Sequence, residues 1–125
     1  MKERQTELAG NYLSGLYWQV QHFAGDKAME ILKKAHSKES LARDVLVPLT
    51  INSYNAGASR VGAAVQKYFE RPENRDKGLT GKDLFIDIAN FACESEEGKL
   101  RAYGDDAREY VTRIYGNALA LAKNA

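Results

Sequence analysis

The chain has 125 residues, 44% hydrophobic and 28% charged, the size and mix of one ordinary globular domain. Its formal charge of +1, with basic and acidic residues interspersed, excludes the one-sided basic surface that nucleic acid or an anionic membrane selects. A lone cysteine, Cys93, excludes an internal disulfide and a cysteine-built zinc site, and no apolar run reaches the roughly 20 residues of a membrane-spanning helix.

The opening MKERQTELAG lacks the apolar stretch of a signal peptide. From Thr6 to Ala24, Leu8, Tyr12, Leu16 and Val20 recur at every fourth position, with Leu13, Tyr17 and Phe23 widening the stripe. That spacing predicts an amphipathic helix. Gly25-Asp26 reads as a stop followed by a new N-cap, and Ala28, Ile31, Leu32 and Ala35 mark a shorter second helix. His36 to Ser40 reads as a connector.

Leu41 to Ala56 is largely apolar with Pro48 inside it, which predicts a bent or two-part helix ending at Gly57, because proline has no amide hydrogen to donate. Ser59 is placed to cap the next helix, whose buried side carries Val61, Ala64, Val65, Tyr68 and Phe69. RPENRDKG then reads as a polar loop. Thr80 and Asp83 resemble a capping box for a helix with Leu84, Phe85, Ile88 and Phe91 on its apolar face. Glu94 to Gly104, acidic and glycine-containing, reads as irregular, with Asp105 or Asp106 capping a last helix that carries Tyr110, Val111, Ile114, Tyr115, Ala118 and Leu121. No strand alternation, repeat or low-complexity segment interrupts this pattern. The expectation is a single all-α domain over 1–125 with about six helices.

Chemistry concentrates in Ile51 to Val61, INSYNAGASRV, where Tyr54 and Asn55 stand at the end of an apolar helix just before a glycine turn. Asparagine donates and accepts hydrogen bonds at once, and tyrosine offers a hydroxyl and a ring face, a combination suited to a neutral ligand rich in hydroxyl and amide groups, such as a sugar. The same residues also suit a packing role, with Tyr54 in the core and Asn55-Gly57 as a helix C-cap. His22 and His36 stand alone, with no carboxylate or histidine at ligand spacing, so neither metal nor cofactor is implied.

Ser53-Tyr54-Asn55-Ala56-Gly57 with Arg60-Val61 resembles the AYNAG..RV motif of soluble lytic transglycosylases, peptidoglycan-cleaving enzymes of lysozyme-like fold. Asn11-Tyr12-Leu13 through Phe23-Ala24-Gly25-Asp26 is similar to that family's YL...F.GD helix and turn. Asp106-Ala107-Arg108-Glu109-Tyr110-Val111 is similar to the ETR.YV segment that starts its last helix. The resemblance implies the carboxy-terminal part of such a domain, in a periplasmic or cell-envelope setting, with glycan strands of peptidoglycan as partner. It further implies cleavage between N-acetylmuramic acid and N-acetylglucosamine to a 1,6-anhydro product, with Tyr54, Asn55, Asp106 and Tyr110 as substrate-binding residues.

The departures bear on activity. Lys27 to Pro48 is longer than the family's connection, Asp106 stands where the family has glutamate, and Ala107 where it has threonine. The catalytic glutamate of the family lies in an ES-type motif followed by a GLMQ-like segment ahead of the YL helix, and nothing before Asn11 matches either. Glu94-Ser95 repeats the dipeptide, but after the tyrosine-asparagine motif and inside the charge run ESEEGK, which reads as a solvated loop. No residue of this chain is therefore assigned as catalytic. The chain is expected to be part of a glycan-cleaving enzyme whose amino-terminal half is missing or supplied by a partner chain, and to be inactive alone. The alternative is a noncatalytic helical module that binds peptidoglycan or a protein. A third possibility is a structural domain that keeps the motif for packing. A large apolar surface beside Tyr54 would favour the first, since a removed half leaves its interface exposed.

Overall fold

The structure is a computed structural model that describes the backbone of residues 2–116 and the side chains of residues 13–116; Tyr12, Leu8, Ala118 and Leu121 therefore lie outside the described side chains. The described residues form helices and no strand: α1 (Lys2–Ala24), α2 (Asp26–Ala35), α3 (Lys38–Leu41), a π-helical turn (Ala42–Leu46), α4 (Val47–Ala56), α5 (Ala58–Glu70), α6 (Pro72–Arg75), α7 (Gly81–Cys93) and α8 (Gly98–Tyr115). One contiguous core runs through them, from Leu16 and Val20 on α1 to Tyr103, Ala107 and Val111 on α8.

Of the bent or two-part helix expected around Pro48, the two-part form is not seen: the helical assignment is continuous. Pro48 lies in the first turn of α4, and the wide π-helical turn sits immediately ahead of it. Widening the helix there accommodates the proline ring, which would otherwise press on the carbonyl one turn back. From Lys38 to Ala56 the chain is thus continuously helical, and it stops at Gly57, whose φ of 93° suits glycine and whose amide donates to the Ser53 carbonyl at 2.9 Å.

Several end assignments differ from the sequence expectation. Gly25 and Gly57, not Asp26 and Ser59, are the cap residues of α2 and α5; both glycines have positive φ, so the turn itself sets the start and Asp26 falls in the first helical turn. Thr80 caps α7 by position but its side chain makes no cap bond. The Gly81 amide instead donates to His36 Nε2 at 2.9 Å, while His36 Nδ1 lies 2.9 Å from the Leu32 carbonyl. A carbonyl only accepts and an amide only donates, so the two contacts together require the neutral imidazole with its proton on Nδ1. The supposed connector ends in a short helix, α3, because Ser37 accepts from the Ser40 amide. Within the expected polar loop, α6 forms and Asn74 is buried, its amide donating to the Tyr68 carbonyl at 2.9 Å.

The largest difference is Glu94 to Gly104. From Gly98 onward this stretch is the first half of α8, so Asp105 and Asp106 are mid-helix residues rather than caps. Leu100, Tyr103 and Ala107 are buried at helical spacing and supply its apolar face. Gly104 explains the misreading: it lies against α7, where an added Cβ would stand 2.3 Å from the Cys93 amide nitrogen. It is a close-packing glycine rather than a loop glycine. Gly62 does the same between α5 and α1, with Phe23 Cβ 2.3 Å from its Cβ position and the Ala24 amide at 2.9 Å. Between α5 and α7, the Tyr68 hydroxyl donates to Asp87 at 2.6 Å, and Lys77 pairs with the same carboxylate at 2.8 Å.

Candidate functional site

α4 packs across α8, and α1 packs on both α4 and α5, so the elements that carry the three stretches 11–26, 53–61 and 106–111 are linked through α4 and α5. On α4, Asn52 and Asn55 lie three positions apart and so share a face. Both side chains come close enough to the Asp106 carboxyl on α8 to favour its charged form. Asn55 is exposed, Asp106 is partly buried and Asn52 is almost fully buried, so the cluster runs from solvent into the body of the protein.

The carboxyl of Asp106 is held above the usual carboxylate range. Burial is the main cause; the nearby Asn55 amide works against it, and the charge of Glu109 adds to it. Deeper in, Asn52 Oδ1 and the Tyr103 hydroxyl, the latter also within the electrostatic reach of Asp106, are buried without a hydrogen-bond partner among the described residues. Tyr110, one turn along α8 from Asp106, is 7% exposed and packs edge-on against Phe85 at 5.7 Å and Tyr115 at 6.4 Å. Its ring braces the helix that presents Asp106.

Tyr54 is 62% exposed, which rules out the core role. It shares one face of α4 with Val47 and Ile51, at helical spacing, and these two are also exposed, at 43% and 40%. Val47, Ile51 and Tyr54 form an apolar stripe alongside exposed Asn55, on an element otherwise embedded between α1 and α8. Of the four sequence-predicted site residues, the fold thus brings Asn55 close to Asp106, packs Tyr110 one turn along α8 against Phe85, and turns Tyr54 outward.

Arg60 and Glu94 are exposed, Glu94 as the residue that closes α7. Among the described residues no cluster of three or more metal-binding side chains forms. Asn52 and Tyr103 are the residues sequence reading missed. Asn52 carried a usable signal, its i, i+3 relation to Asn55; Tyr103 was hidden by reading its segment as irregular. The arrangement can accept and donate hydrogen bonds toward a polyhydroxyl or acetamido ligand at Asn55 while Asp106 fixes the amide orientation. No known protein family, curated protein or solved structure matches the chain.

Proposed function

We propose that this chain is the glycan-positioning part of a peptidoglycan lytic transglycosylase of lysozyme-like fold, acting at the cell envelope and lacking the catalytic glutamate. The observation that carries the proposal is the packing of α4 on α8, which brings Asn55 close to Asp106. It joins the two stretches that separately resemble the family's tyrosine-asparagine motif and the start of its last helix.

Cleavage of this kind needs one carboxyl group as acid and then base, with its pKa raised by a partly apolar cleft. Asp106 has a raised pKa and lies beside Asn52 and Asn55, an arrangement that suits orienting an amide, and it falls in the stretch that resembles the start of the family's last helix rather than its catalytic segment. Asn55 is the group that touches the sugar, Tyr54 offers its ring beside it, and Asp106 with Tyr110 behind it holds the wall. Val47, Ile51 and Tyr54 add exposed apolar side chains beside Asn55, a surface on which a sugar ring or a partner can pack.

The purified chain is expected to sediment with sacculi without dissolving them. Loss of a general acid or base costs about a hundredfold to ten-thousandfold in rate. Turbidity should hold steady and mass spectrometry should find no 1,6-anhydromuropeptides. Abundant anhydro product would overturn the assignment of roles, and failure to sediment would overturn the glycan reading itself.

A further inference from the structure

Away from the Asn55–Asp106 pair, a hollow of about 320 Å³ opens between α1, the end of α2, α3 and the π-helical turn. Its size is at the low end for small-molecule sites, enough for about one sugar ring. Tyr17 and Trp18 meet at 5.4 Å with their planes at 85°, forming an aromatic corner, and Trp18 is 65% exposed. Leu41 and Leu46 are the buried apolar residues of the lining. Lys33, Lys38 and Gln21 complete it, and no carboxylate lines it.

The polar groups differ in what they have left to offer. Both His36 nitrogens are occupied, by the Leu32 carbonyl and the Gly81 amide. Gln21 is fixed by one Nε2 hydrogen donated to the Tyr17 carbonyl, and its Oε1 is the amide atom that can receive a hydroxyl. Neither Lys33 nor Lys38 is in an ion pair among the described residues. An exposed indole face, two unpaired ammonium groups and one amide acceptor around an apolar floor specify a ligand with a flat apolar face, hydroxyls and a negative charge.

We propose that Tyr17, Trp18, Gln21, Lys33 and Lys38 form a second ligand site that binds a sugar ring bearing a carboxylate. The ring's C–H face lies on Trp18, a hydroxyl donates to Gln21 Oε1, and the two lysines receive the carboxylate. The choice of a sugar among anionic ring compounds rests on the glycan reading above; the anion preference and the location do not.

Trp18 is the only tryptophan in the sequence, so its fluorescence reports this hollow alone. N-acetylmuramic acid, which carries a carboxylate, is expected to give a saturable change. N-acetylglucosamine, which has the same ring without the carboxylate, is expected to bind at least about tenfold more weakly, through the loss of the charge-assisted hydrogen bonds to the two lysines. The Lys33→Gln, Lys38→Gln double variant, changed only at exposed positions, should bind the two sugars equally. Asn55→Ala should leave the Trp18 response intact, which separates this site from the α4–α8 cluster. No saturable change, equal response to both sugars in the unmodified chain, or loss of response in Asn55→Ala would overturn the proposal. Benzoate, which has ring and charge but no hydroxyl, binding as well as N-acetylmuramic acid would overturn the sugar assignment while leaving glycan binding at Asn55 to its own test.

Discussion

Asp106 concentrates the chemistry of the described residues, because it is a carboxyl group drawn partly into the protein, where burial outweighs the nearby Asn55 and Asn52 amides and the Arg113 charge. Burial raises its pKa, so between the ordinary carboxylate value and the raised one the folded chain binds a proton that the unfolded chain has released. Over that window the folded state therefore loses stability as pH rises, the reverse of a salt-bridged aspartate. Asp106→Asn removes the ionisation while keeping a polar group in place. It should flatten the dependence of the melting temperature on pH across the mildly acidic range, with the variant gaining on the parent toward neutral pH. Thermal unfolding followed by circular dichroism at a series of pH values is the check; an unchanged slope would show that the carboxyl is not desolvated. The sequence located Asp106 through its resemblance to a helix start, yet the physical reason for its importance, Asn52 and Asn55 arriving from another helix, is tertiary and has no local signature.

At the scale of the helices, two glycines set the distances on which that tertiary meeting depends. Gly62 lets α5 approach α1 until its missing Cβ would lie 2.3 Å from Phe23 Cβ and 2.8 Å from the Phe23 carbonyl carbon. Gly104 lets α8 approach α7 with the Cys93 amide nitrogen at 2.3 Å and the Ala92 carbonyl carbon at 2.7 Å. Backbone cannot step aside as a side chain can. Gly62→Ala and Gly104→Ala should each destabilise by about 1–3 kcal/mol or more, the usual range for overpacking, despite alanine's better helix propensity. Denaturant unfolding measures this directly, and an unchanged or raised midpoint for either variant would mean that the helices are not held that close. Apolar stripes at helical spacing made α1, α2, α5 and α7 legible in the sequence, since periodicity is local information. What misled the reading was glycine and the acidic run at Glu94 to Gly104: a glycine required for close packing and a glycine required for a turn look alike until the partner helix is known.

Over the whole molecule, the all-helical class followed from the sequence, whereas the continuity of Lys38 to Ala56 did not. Pro48 signalled a disturbance, and the π-helical turn that absorbs it is a compensation no propensity encodes. That continuity bears on the proposed function because it carries Val47, Ile51 and Tyr54 outward and Asn52 and Asn55 toward α8 on one helical element. The most direct test of glycan positioning by that element is an NMR titration of the isotopically labelled chain with a chitooligosaccharide, followed at each backbone and asparagine side-chain amide. The expected result is that Asn55 and its neighbours Tyr54 and Asp106 shift first and saturate together, and that Asn55→Ala abolishes the saturation without changing the fold. Shifts that cluster elsewhere, or the same saturation in Asn55→Ala, would contradict it.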